Sequence, residues 1–148
     1  MIESAVTVAK FLIAHFEGFY STPYLCPAGV PTIGYGFTYY RDGTAVTLGD
    51  LPMAHETADA LLDYLIRTKY MMAVMALCNT IDTPERLAAI TDFCFNLGYG
   101  TLRVSTLRQR INAGAWNEVP TQLLRWVKAG GRTLPGLVIR RATESSYV

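Results

Sequence analysis

The chain has 148 residues, the size of one ordinary domain, and 51 % of them are hydrophobic, enough for a core without staples. Three irregularly spaced cysteines (Cys26, Cys78, Cys94) do not make a disulfide framework and suit a reducing cytoplasm. With only His15 and His55 and no Cys-x-x-Cys pair, a Cys/His metal site has no basis. The net charge of +1 hides an asymmetry: residues 101–148 carry Arg103, Arg108, Arg110, Arg125, Lys128, Arg132, Arg140 and Arg141 against only Glu118 and Glu144. Such a basic third suits either an anionic polymer or a solvated helical surface.

The N-terminal stretch 1–16 is apolar, but Glu3 stands where a signal peptide needs a basic start, and Lys10 and His15 interrupt the run. It is also too short to span a bilayer. The expectation is therefore a core-facing helix, with no signal peptide or transmembrane segment. Val8, Phe11, Leu12 and Phe16 have helical spacing, and Gly18 ends the helix. Residues 19–50 are rich in Tyr, Thr, Gly and Pro and read as short strands and turns: strands at Pro31–Tyr35 and Phe37–Tyr40, an Asp42-Gly43 hairpin turn, and a returning strand at Ala45–Leu48. Gly34 and Gly36 around Tyr35 mark close backbone packing or a passing ligand.

Beyond residue 50 the pattern is helical. Ala54–Leu77 is expected to break near Arg67–Tyr70. Thr83-Pro84-Glu85 starts a helix that runs to Gly98. Ser105 caps another ending near Gly114, and helices follow over Asn117–Ala129 and about Pro135 to Ser145. The fold expected is α+β, a single domain over 1–148. A β-rich lobe at about 18–50 is set against helices, with a cleft between the lobes.

Glu17 is the residue with the clearest chemistry. It ends an apolar helix among Phe16, Phe19 and Tyr20, where desolvation should raise a carboxyl pKa and keep a proton available. Taken alone, a Glu near a helix end is usually a solvated acid. The surrounding pattern changes that reading. Glu17, then Cys26 after eight residues, then Thr32 after five more, lie in a stretch that continues Ile33-Gly34-Tyr35-Gly36. Further on come Phe95-Asn96-Leu97-Gly98, Ser105-Thr106-Leu107, Arg125-Trp126-Val127 with Ala129-Gly130-Gly131, and Leu134-Pro135-Gly136-Leu137. This ordered set, over nearly the whole chain, resembles the phage lysozyme family.

The resemblance implies a lysozyme-like fold and an endolysin that hydrolyses peptidoglycan glycan strands between N-acetylmuramic acid and N-acetylglucosamine. In that reading Glu17 donates the proton, Cys26 stands beside the attacking water, Thr32 holds that water, and the anomeric centre inverts. Thr38, Phe95, Thr106 and Gln122 match the family's glycan-contacting positions. Cys26 leaves two roles open: a locally stabilised thiolate base, or a side chain that shapes the water site. The second is preferred, because an ionised Glu17 nearby would oppose a thiolate. No metal or organic cofactor is needed for this chemistry.

Two departures from the family stand out: Phe37 replaces the usual His after the Gly-x-Gly stretch, and Pro52-Met53-Ala54 replaces a Thr or Ser cap. The N-terminus lacks the membrane anchor of some relatives. The expectation is a soluble monomer made in the host bacterial cytoplasm and released to the cell wall through a separate pore, a holin. The remaining candidates read as packing: His15, Cys78, Cys94, Met71, Met72, Met75, Trp116 and Trp126. A lytic transglycosylase and a non-catalytic wall-binding module are the alternatives. A nucleic-acid partner is not expected, since no helix-turn-helix, zinc or aromatic-sheet signature accompanies the basic third.

Overall fold

The computed structural model describes residues 1–148. Helix α1 spans Ile2–Glu17 and presents Ala5, Val6, Ala9, Leu12 and Ile13 to the core. It begins earlier than the apolar spacing indicates, and Arg67 holds its first turn by gripping Glu3 at 2.6 and 2.9 Å. Phe11 is not on the core face. It is 65 % exposed and stacks on His15. Gly18, at φ 71°, closes the helix by donating its N–H to Ala14.

The first strand, β1 (Tyr20–Leu25), lies in the stretch expected to be extended, although its bounds were not marked by the sequence. It pairs antiparallel with β2 (Pro31–Gly34), Tyr24 opposite Thr32, and bulges between Tyr20 and Tyr24. Pro23 sits in the bulge, where its missing N–H costs no ladder bond. The two further expected strands shrink to isolated bridges, Ile33–Phe37 and Tyr39–Ala45. Segment 35–48 is instead held by turns and side chains. Gly43 takes φ 87° in the Asp-Gly turn, and Asp50 accepts from Tyr40 and Thr47.

Helix α2 (His55–Leu65) starts without a side-chain cap, as Pro52-Met53-Ala54 suggests. The Met53 N–H donates instead to Ser21, tying the helix entry to β1. The expected break at Arg67–Tyr70 is not a break. Ile66–Tyr70 forms one π-helical turn that leads directly into α3 (Met71–Leu77).

Helix α4 (Pro84–Leu97) is capped by Thr83, whose hydroxyl accepts from the Arg86 N–H at 3.2 Å. Residues Leu87 to Cys94 are all buried, so α4 is surrounded by protein on every side, and α1 and α8 both pack on it. The short helix α5 (Tyr99–Arg103) was not foreseen; α6 (Thr106–Asn112) follows the Ser105 cap. The helix expected over Asn117–Ala129 is much shorter. A 3-10 turn (Trp116–Glu118) leads into α7 (Val119–Leu123), and a small hairpin replaces the rest. Its strands, β3 (Lys128–Ala129) and β4 (Arg132–Thr133), are joined by Gly130 and Gly131, both at positive φ, which a two-residue hairpin turn favours and a helix does not. Helix α8 (Pro135–Ser145) ends the fold.

The architecture is thus α+β and mostly helical, with two small antiparallel sheets. No helix is long and apolar enough to cross a membrane.

Candidate active site

Glu17 is the last residue of α1, so its side chain leaves the helix where the chain turns into the β region. Its carboxyl is 22 % exposed and forms part of a cleft lined also by Gly36, Phe37, Thr38, Leu65, Lys69, Tyr70, Phe95 and Asn96. Gly36 is required there. At φ 77° it already disfavours a side chain, and a Cβ would lie 2.9 Å from Glu17 Oε1. The close approach read from Gly34 and Gly36 is thus real. At Gly34 the crowding neighbour is the Phe37 ring, and at Gly36 it is the carboxyl itself.

Arg140 of α8 donates from Nη1 to Glu17 Oε2 at 3.2 Å. The same guanidinium grips Asp92 of α4 through Nε (3.0 Å) and Nη2 (2.7 Å). Burial pushes the Glu17 pKa above the usual carboxylate value. Arg140 opposes the rise through its charge and hydrogen bond, and Asp92 adds to it.

Cys26 opens the turn between β1 and β2. The turn is closed by Cys26 N–H to Val30 (3.1 Å) and Gly29 N–H to Cys26 (2.8 Å). Its thiol pKa is lowered, first by hydrogen bonding from the Val30 backbone, against some desolvation, and then by the Ala28 backbone. Thr32 is buried, and its hydroxyl donates to the Val30 carbonyl at 2.8 Å, leaving oxygen lone pairs to accept from a water. Tyr24 lies opposite Thr32 across the sheet. Its phenol pKa is raised by burial and then by Tyr20, Glu17 and Cys26, so both groups act on it.

The glycan-contact candidates divide. Thr38 and Phe95 line the Glu17 cleft, where Phe95 packs its ring against Tyr70 at 5.0 Å. Thr106 and Gln122 line a separate depression with Arg125 and Trp126. Trp126 and Trp116 both pack against the core, Trp126 edge-on to Phe93. Phe37 is buried edge-on to Tyr35 and also lines the cleft, an apolar ring at the position where the family's His is expected to be polar. No group of three His, Cys, Asp or Glu side chains is arranged to hold a metal ion.

Sequence reasoning missed Arg140, Asp92, Tyr24 and Lys69. Asp92 left a signal: it is a lone acid inside an apolar helical run. Arg140-Arg141 left one too, sharing a helix face with Glu144. Both arginines are buried, and Arg108 donates to the backbone carbonyls of Leu77 and Arg103. The basic surface is therefore smaller than the residue count suggests.

A mostly helical α+β fold with a half-buried carboxyl lining a cleft is the lysozyme class of architecture. The phage lysozyme family profile matches residues 14–144, and the chain belongs to that family. It is 34 % identical over 143 residues to an endolysin of Acyrthosiphon pisum secondary endosymbiont phage 1, covering 91 % of this chain and 90 % of that one. Among solved structures it is similar to an endolysin from Escherichia coli O157:H7 phage FAHEc1 (TM-score 0.83, 28 % identity, 97 % and 89 % of the two chains). It is also similar to the muramidase domain of SpmX from Asticaccaulis excentricus (TM-score 0.77, 33 % identity, 94 % and 92 %).

Proposed function

We propose that this chain is an endolysin. As a lysozyme-type glycosidase it hydrolyses the β-1,4 bond between N-acetylmuramic acid and N-acetylglucosamine in bacterial peptidoglycan. The observation that carries the reading is the placement of Glu17. It is a half-buried carboxyl lining the cleft, its pKa raised by burial, and Arg140 donates to it at 3.2 Å. Glu17 protonates the bridging oxygen as the bond breaks. Water attacks from the Cys26 and Thr32 side, and the anomeric centre inverts because no carboxylate nucleophile stands there.

Cys26 takes the larger part in this scheme. Its thiol pKa is lowered by the backbone of its own turn, which supports sulfur as the base over a side chain that only shapes the water site. Thr32 accepts a hydrogen bond from the water and orients it. Thr38 and Phe95 contact the sugar nearest Glu17, and Thr106 and Gln122 contact the strand further along. The protein acts as one monomeric domain over 1–148. It is made in the host cytoplasm and reaches the wall through a separate pore.

The test is clearing of outer-membrane-stripped bacterial walls by the wild type and by Glu17→Gln, which keeps the shape but has no proton to give. Clearing is expected from the wild type alone, with a loss of about 10²-fold or more in the variant. Equal clearing by both removes Glu17 from the mechanism. Mass spectrometry of the fragments should show hydrated reducing ends; anhydro ends would make the chain a lytic transglycosylase.

A further inference from the structure

The groups behind Glu17 form an uneven set: three carboxyls (Glu17, Asp92, Glu144) face two guanidiniums (Arg140, Arg141). All but Glu17 are buried. Arg140 shares its fork unequally. Its Nε and Nη2 edge meets both oxygens of Asp92, at 3.0 and 2.7 Å, and only Nη1 reaches Glu17, at 3.2 Å. Asp92 is fully buried on α4, the helix enclosed on all sides. It therefore has no solvent to relax into and holds the guanidinium in one place.

We propose that Asp92 is a positioning residue for Glu17. By chelating Arg140 it fixes the guanidinium and offsets part of its charge, so that Arg140 orients the Glu17 carboxyl while pulling less strongly on its proton. The proposal rests on Glu17 being the proton donor. Without Asp92, a buried guanidinium would have Glu17 as its nearest anion, and the carboxyl would give up the proton it needs. A weak single hydrogen bond to Glu17 alongside a strong double one to Asp92 is the arrangement that keeps geometry and charge separate.

The other groups facing Glu17 do not replace Asp92. Tyr24 of β1 senses the charge of Glu17, and Lys69 of the π-helical turn lines the same cleft. Arg141 and Glu144 stand behind Arg140 on α8. Arg141 Nε lies 3.0 Å from Glu144 Oε2 but off the hydrogen-bonding line, and Arg141 Nη2 is committed to Asn96.

The experiment follows the Glu17 carboxyl by 13C NMR titration of the full chain, wild type against Asp92→Asn, together with the pH profile of kcat/KM on stripped walls. Removing the Asp92 charge should lower the Glu17 pKa by about one unit, and the limb of the profile that follows Glu17 should move down with it. A merely structural role would cost stability and leave the titration where it was. If Asn does not accommodate the site, Asp92→Ser removes the same charge with a smaller group and predicts the same direction. A folded variant whose Glu17 titrates as in the wild type, or higher, overturns the proposal. The NMR readout does not need turnover. Failure of wild-type protein to clear walls would therefore count against the proposed activity, while the Glu17 shift would still decide the role of Asp92.

Discussion

The two sides of the candidate site reach their chemistry by opposite means. On the acid side, Glu17 is governed by side chains far away in sequence: Arg140 lies 123 residues on and Asp92 comes from the central helix. On the proposed water side, Cys26 and Thr32 are governed by the five-residue turn Cys26–Val30, through its backbone and the Val30 carbonyl. A carboxyl that must stay protonated needs burial, and burial of charge needs partners from the tertiary structure. A thiol that must ionise needs only donors, which any tight turn can supply. The acid side should therefore be sensitive to distant core substitutions, and the water side to local ones.

The strongest break in that contrast is Cys26→Ser. If the turn's N–H groups make the sulfur a base, serine, which stays protonated across the usable pH range, should lose about 10²-fold in kcat/KM, and the limb of the pH profile set by the thiol should disappear. Full activity in the serine variant returns Cys26 to shaping the water site. Gly36→Ala comes next, and tests the acid side locally. The new methyl meets Glu17 Oε1 at 2.9 Å and forces a side chain into positive φ. The expected cost is about 1–2 kcal/mol of stability and about 10-fold in kcat, with wall binding kept.

The smallest effect concerns Glu144, buried behind the acid side. Burial holds its carboxyl pKa well above the usual range. The folded state therefore keeps a proton that the unfolded chain releases above about pH 4.3, and the wild type loses stability as pH climbs from there toward the folded value. Glu144→Gln mimics the protonated form and has no proton to lose. Its Tm should equal that of the wild type near pH 4 and exceed it at pH 8 by about 2–4 °C, an effect on the order of 1 kcal/mol, while clearing activity is kept. A gap that closes instead of opening as pH rises would mean Glu144 is held ionised by Arg141.

The sequence by itself determined most of the helices, because their signals are local: the apolar spacing of α1, the Thr83-Pro84 start of α4, the Ser105 cap and Gly18 as a stop. It also marked Glu17, Cys26 and Thr32 as candidates through their resemblance to the family pattern, and the glycines at 34 and 36 as points of close approach. What it did not determine depends on contacts between distant residues. Phe37–Tyr40 and Ala45–Leu48 have strand composition but no continuous partner, so only bridges form. Ile66–Tyr70 looks like an interruption, yet packing keeps it helical with one widened turn. Gly130-Gly131 outweighed the helical pattern before it. Above all, a count of basic residues cannot distinguish a surface arginine from Arg140. Only the packing of α8 on α4 buries that charge, pairs it with Asp92, and brings what remains of it to Glu17.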